Sequence, residues 1–139
     1  MIQPPNAGPS RRGWHRLSDF GKCPMYGSYR HLLHLSPLKE PEARALGSLL
    51  HIGMMYRYLR LAGTSDVDPV EAMKDASARV AWVFDRARGI FAAYETKYPA
   101  DAEPFRVLDV EREFEVRVGG YAQTLRLDLV VEWNGQVVD

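Results

Sequence analysis

Three acidic residues in the carboxyl-terminal part of the chain, Glu111, Asp128 and Asp139, lie in segments of alternating polarity. Hard carboxylate oxygens gathered in this way suit Mg²⁺ or Mn²⁺. Their convergence follows from counting. Gly119-Gly120 and Asn134-Gly135 are hairpin signals, and if each forms a two-residue loop, Val118 pairs with Tyr121 and Trp133 with Gln136. Phe114 then falls opposite Leu125, Val110 opposite Leu129, Glu113 opposite Arg126 and Glu111 opposite Asp128. The last pair sets two carboxylates side by side, which destabilises a sheet unless a cation or proton lies between them. Val130 falls opposite Asp139, so Asp128 and Asp139 become diagonal neighbours about 7–8 Å apart at the backbone. Two readings stay open at this level, a metal centre and a solvated polar sheet face, because one slip of register dissolves the pattern.

The elements that must position these groups are a meander and the helices before it. After Pro104 the apolar period is two, with Val110, Phe114, Val116 and Val118 alternating with Glu111, Glu113, Glu115 and Arg117. Tyr121 to Trp133 is a second strand carrying Leu125, Leu127, Leu129 and Val131 on one face, and Gln136 to Asp139 begins a third. Upstream, Ser18 or Asp19 can cap a helix running to about His34, weakened or broken by Gly21, Pro24 and Gly27. Ser36-Pro37 marks a turn. Leu46, Leu49, Leu50, Met54, Tyr58 and Leu61 recur at helical spacing over Glu42 to Leu61. Asp68-Pro69-Val70-Glu71 combines a capping carboxylate, proline at the first helical position and an acid three after the cap, and predicts a helix from Pro69 to about Lys97. Its stripe of Val80, Val83, Phe84, Ala87, Phe91, Tyr94 and Tyr98 reads as plain core. Helices first and antiparallel strands afterwards give an α+β or mixed α/β class.

At 139 residues the chain suffices for one compact domain, complete or partial. Residues 1–13, rich in proline and poor in apolar side chains, read as a flexible arm, and 14–139 as the domain. No apolar run reaches membrane-spanning length, and the start lacks the layout of a secretory signal, so the expected location is the cytoplasm. Lys plus Arg and Asp plus Glu balance at 18 each, so overall charge says nothing about nucleic acid. Locally, Arg11, Arg12, Arg16, Lys22, Arg30 and Lys39 precede Glu40 with only Asp19 against them, interleaved with His15, His31, His34, Trp14, Tyr26 and Tyr29. That segment reads either as a phosphate-tracking surface or as a solvated helix face with anchoring aromatics.

Four motifs occur in order: Ser18 with Cys23-Pro24-Met25-Tyr26, Gly47-Ser48-Leu49-Leu50-His51, Arg126-Leu127-Asp128-Leu129-Val130, and Val137-Val138-Asp139. In this order the set resembles the PD-(D/E)XK nuclease superfamily, in the branch of the RecB nuclease domain and the CRISPR-associated and phage exonucleases. Each motif is weak alone; the match covers about Trp14 to the end. The resemblance implies a restriction-endonuclease-like core, helices packed on a mixed sheet that begins with the meander. It implies a Mg²⁺- or Mn²⁺-dependent deoxyribonuclease, an exonuclease by its branch, working on DNA in repair, recombination or phage DNA processing alongside other repair or recombination proteins. By the same resemblance Asp128 is the main metal-binding aspartate, Asp139 the acid opening the D-x-K motif, His51 the helical metal ligand and Glu111 a glutamate of the preceding strand. Asp128 and Asp139 would then be the catalytic carboxylates, and Arg16, Lys22, Tyr26 and Arg30 candidate DNA contacts.

The sequence departs from that pattern in two places. Thr124-Leu125-Arg126-Leu127 lacks the glycine the family usually has there. The lysine of D-x-K would fall two residues past Asp139, so the chain reads as the front part of such a domain, with cleavage expected to be lost or severely weakened. A non-catalytic DNA- or protein-binding module of the same fold is the alternative. Cys23, the sole cysteine, resembles the first ligand of an iron–sulfur cluster found in four-cysteine relatives; the reading favoured for it is a small packed thiol.

Overall fold

A computed structural model describes residues 14–35 and 41–139. The expected arm over 1–13 and the Ser36-Pro37 turn lie outside the described residues. The described chain is α+β: helices followed by a three-stranded antiparallel sheet of order β1-β2-β3. It divides into two compact units, one holding described residues among 41–110 with Asp128–Asp139, the other those among 14–35 with Glu111–Leu127. Among the described residues no helix is long and apolar enough to cross a membrane.

In the larger unit, helix α3 spans Glu42–Leu61, the bounds its apolar spacing predicts. Its burial is wider than one stripe. Ala45 and Leu49 pack with Met73, Val83, Ala87 and Phe91, while Met55 and Tyr58 form a second cluster with Val110, against which Phe105, Val107 and Leu129 rest. Leu61 is exposed.

The helix predicted from Pro69 to Lys97 is two helices, α4 (Pro69–Ala76) and α5 (Phe84–Lys97). Its start is as expected: Asp68 Oδ1 accepts from the N–H groups of Val70 and Glu71 at 2.9 and 3.1 Å. The break follows Ser77, whose hydroxyl donates to the Lys74 carbonyl at 2.7 Å. A serine bonded back to the preceding turn competes with continued helix. Two one-turn 3-10 segments, Ser77–Arg79 and Ala81–Val83, flank Val80 at φ −137°, ψ 33° and redirect the chain. Met73 of α4 and Phe91 of α5 thereby reach the same cluster on α3.

Gly53 is where α3 makes its closest approach. A Cβ there would lie 2.6 Å from Met73 Sδ and 3.1 Å from a Phe91 ring carbon. Four residues on, Arg57 is only 3 % exposed. Its Nη1 lies 2.7 Å from Glu103 Oε1, its Nη2 donates to the Tyr98 carbonyl at 2.6 Å, and its guanidinium sits over the Tyr58 and Tyr94 rings. The Tyr58 and Tyr94 hydroxyls bond each other at 3.0 Å. Burial, reinforced by that bond, pushes the Tyr58 phenol well above its ordinary range, so it stays neutral.

Both predicted hairpin loops form. β1 (Arg106–Val118) and β2 (Tyr121–Trp133) are joined by Gly119 and Gly120 at φ 57° and 84°, and β2 and β3 (Gln136–Val138) by Asn134 and Gly135 at φ 52° and 76°. Paired positive φ values are those of the type I′ turn that matches strand twist. The second register is as counted, with Trp133 opposite Gln136, Glu132 opposite Val137 and Val131 opposite Val138.

In the smaller unit the helix expected to run to about His34 is a pair, α1 (Trp14–Lys22) and α2 (Pro24–His31), parted at an extended Cys23 (φ −158°). Pro24 opens α2, and His34 at φ 52° lies beyond its end. Asp19 is no cap; it is buried within α1. Gly27 lets α2 close on α1, since a Cβ there would lie 2.7 Å from the Phe20 ring.

Gly53→Ala is expected to destabilise the chain by about 1–3 kcal/mol through overpacking. Gly47→Ala, on the same helix with nothing within 4 Å of the new methyl, should stabilise it by up to about 1 kcal/mol through helix propensity. Denaturant unfolding of both variants checks the pair; equal shifts would contradict the close approach at Gly53.

Candidate metal centre

His51 is presented by α3. One turn later on the same face, Met55 packs in the cluster that also takes Leu129 of β2. This contact ties helix to strand, and Asp128 immediately precedes Leu129. The result is that ligand atoms of His51 and Asp128 lie within 4.8 Å of each other. Both residues are exposed, as a group that must meet an ion from solvent requires.

Glu111, the residue after Val110, opens the part of β1 that belongs to the smaller unit. Its backbone is unusual: φ is 55° inside a strand. The left-handed region costs a non-glycine residue about 1–2 kcal/mol. The preceding residues are irregular too. Asp109 Oδ1 accepts the N–H of Val110 at 3.0 Å, and Val107 and Val110, three apart, pack in one cluster, which strict alternation forbids. The strand therefore changes phase at Asp109-Val110-Glu111. On the turn side of this break, Arg126 Nη2 donates to Glu113 Oε2 at 3.3 Å.

An imidazole nitrogen and a carboxylate are donors that suit a divalent first-row ion, and carboxylates also suit Mg²⁺. The residues thus fit such an ion in donor chemistry and reach. Asp139 is exposed, one residue past the Val131–Val138 pair, and is not part of the group. Cys23 is exposed at the joint of α1 and α2, which corrects the reading of it as a packed thiol.

The four candidate DNA contacts all belong to the smaller unit. Arg16 lies over the Phe20 ring, Lys22 is exposed at the end of α1, and Tyr26 is half exposed. Arg30 is already engaged, its Nη1 donating to Asp19 Oδ2 at 3.0 Å and to the Tyr26 hydroxyl at 3.2 Å. The same Asp19 oxygen lies 2.9 Å from His31 Nε2, and His31 stacks on Phe20. This joint of Asp19, Arg30 and His31 escaped the sequence reading, where Asp19 figured as a cap and His31 had no role. The only signal was that Asp19 is the single acid among the basic residues before Glu40.

The hydrogen bond from His31 holds the Asp19 carboxyl below the usual carboxylate range; nearby Arg30 and Lys22 add to this, against the opposing effect of burial. A depressed folded-state pKa contributes stability that is complete above the unfolded value of about 3.9 and is lost as pH falls through the folded value. Amide exchange in α2 is expected to accelerate as pH drops below about 4, after correction for intrinsic rates. Asp19→Asn should exchange faster at neutral pH and lack that acid step; retention of the step would assign it to another group.

No family model, curated protein or solved structure matches this chain.

Proposed function

We propose that this chain carries part of the divalent-metal centre of a phosphodiester hydrolase acting on DNA, with the restriction-endonuclease-like architecture that its ordered motifs resemble. The observation that carries the reading is the meeting of His51 and Asp128, from a helix and a strand far apart in sequence, within one ion's reach. These are two of the positions that the resemblance marks as ligands.

A bound Mg²⁺ or Mn²⁺ would polarise the phosphate and lower the pKa of a coordinated water. The chain's own residues have separate tasks. His51 would hold such an ion only as neutral imidazole. Asp128 supplies a hard anionic oxygen from a strand anchored through Leu129, and such anchoring limits the reorganisation needed on binding. The non-catalytic module of the same fold draws support from Asp139, whose carboxylate lies outside the group.

Calorimetry with MnCl₂ tests the centre. The wild-type chain should bind, and His51→Ala and Asp128→Asn should each lose at least about 10–100-fold in affinity, the range seen when even a ligand's outer support is removed. Circular dichroism should show both folded. Mn²⁺-dependent cleavage of linear single- or double-stranded DNA, lost in Asp128→Asn, supports the hydrolase; metal binding without cleavage supports the binding module. Unchanged Mn²⁺ affinity in both variants would overturn the centre itself.

A further inference from the structure

A glycine inside a helix costs about 1 kcal/mol relative to alanine, and a close neighbour is the usual reason for it. Gly53 of α3 has such neighbours, since a Cβ there would meet Met73 and Phe91. Gly47 has none. It lies in the interior of the same helix and is exposed, and among the described residues nothing beyond the helix's own backbone lies within 4 Å of the place a Cβ would take. Its position on the helix is what sets it apart. Ala45, Leu49 and Gly53 turn toward α4 and α5, whereas Gly47 and His51 lie on the opposite side, one turn apart. From Met55 and Tyr58 onward that side is covered by the cluster holding Val110 and Leu129; at Arg44, Gly47, Ser48 and His51 it is exposed. Helical side chains lean toward the amino end of their helix, so the imidazole of His51 projects over the turn to which Gly47 belongs.

We propose that Gly47 determines which ligands reach the centre: by leaving the second turn of α3 without a side chain, it keeps open the helix surface along which a phosphodiester approaches an ion held by His51 and Asp128. The inference rests on the reading of those two residues as ligands. Water completes the coordination of an ion beside any side chain. A phosphate within a polymer does not, because its two ester oxygens carry sugars away on both sides, and it needs surface cleared of side chains next to the ion. A methyl at Gly47 narrows that surface, and a branched side chain fills it. The glycine gives up helix propensity and in exchange admits a bulky diester where a β-carbon would admit only small ligands.

Calorimetry with MnCl₂ alone, paired with fluorescence anisotropy of a labelled oligothymidylate whose phosphorothioate linkages resist hydrolysis, titrated with and without Mn²⁺, tests this. Gly47→Ala and Gly47→Leu are expected to bind Mn²⁺ as the wild type does. Their Mn²⁺-dependent affinity for the oligonucleotide should fall, severalfold in the first and at least about tenfold in the second. Both should unfold at or above the wild-type denaturant concentration, since alanine and leucine are strong helix formers; a merely structural role for Gly47 would not weaken ligand binding in a more stable chain. Gly89→Leu is the control: that glycine, on α5, is equally exposed with nothing within 4 Å of an added Cβ, and its substitution should change neither affinity. Should Gly47→Leu not fold, Gly47→Ala carries the test, and unchanged oligonucleotide affinity there overturns the proposal. Undiminished oligonucleotide binding by folded Gly47→Leu overturns it, as does an equal loss in Gly89→Leu. A parallel loss of Mn²⁺ affinity would place the effect on His51 itself and overturn it too. If the wild type binds Mn²⁺ and loses it on Asp128→Asn while both Gly47 variants match wild type throughout, only the role of Gly47 fails. If the wild type binds no Mn²⁺, the centre fails and the inference with it.

Discussion

The larger unit depends on a charge that has been taken out of water. Arg57, in the interior of α3, meets Glu103 at 2.7 Å, yet the contact is not aligned as a hydrogen bond, so the attraction is chiefly Coulombic. Isolated burial of a guanidinium is unfavourable, and removal of one partner from such a pair typically costs about 3–5 kcal/mol. The structure compensates with the Tyr98 carbonyl and with the faces of Tyr58 and Tyr94. All of these partners come from α3 itself, α5 and its end, or the segment leading into β1. One side chain thus fixes where α5 stops and where β1 starts relative to α3. The placement of Val110, and of the strand base that holds Asp128 near His51, follows from that fixed point.

Much of the fold is legible in sequence where local chemistry decides it. Asp68-Pro69 starts a helix because the carboxylate caps free N–H groups and proline needs none. Gly119-Gly120 and Asn134-Gly135 make tight hairpins because they tolerate positive φ. The bounds of α3 follow from its apolar spacing. Other elements depend on tertiary partners that no window of sequence displays. The stripe from Val80 to Tyr98 has helical period, but the stop after Ser77 is set by a hydroxyl turning back onto Lys74 and by the packing of both pieces on α3. Asp19 has the composition of a cap and the position of a buried acid, because its partners Arg30 and His31 arrive from the next helix.

The candidate centre divides in the same way. His51 and Asp128 meet through a cluster of Met55, Tyr58, Val110 and Leu129, of which Tyr58, Val110 and Leu129 fall on the periodic faces that the sequence displays; the ligands follow from ordered motifs. What counting could not foresee is the left-handed backbone of Glu111, since a strand reads as uninterrupted until a side chain such as Asp109 captures a main-chain N–H. Asp139, whose place follows the predicted second hairpin, is outside the group even though that hairpin's register is as counted. Correct pairing of backbones does not by itself bring carboxylates to a common point.

The phase change in β1 also bears on how errors spread along the strand. A regular strand is one rigid ruler: a shift anywhere turns every side chain over. Here the segment from Glu113 to Val118 takes its alignment from the Gly119-Gly120 turn and the Glu113–Arg126 pair, whereas the segment up to Val110 takes its alignment from the apolar cluster on α3. Between them lies a joint where alternation is already suspended. The two halves of β1 therefore keep separate accounts of register, and a slipped or remodelled hairpin tip leaves the apolar footing of the strand in step with the helix beneath it.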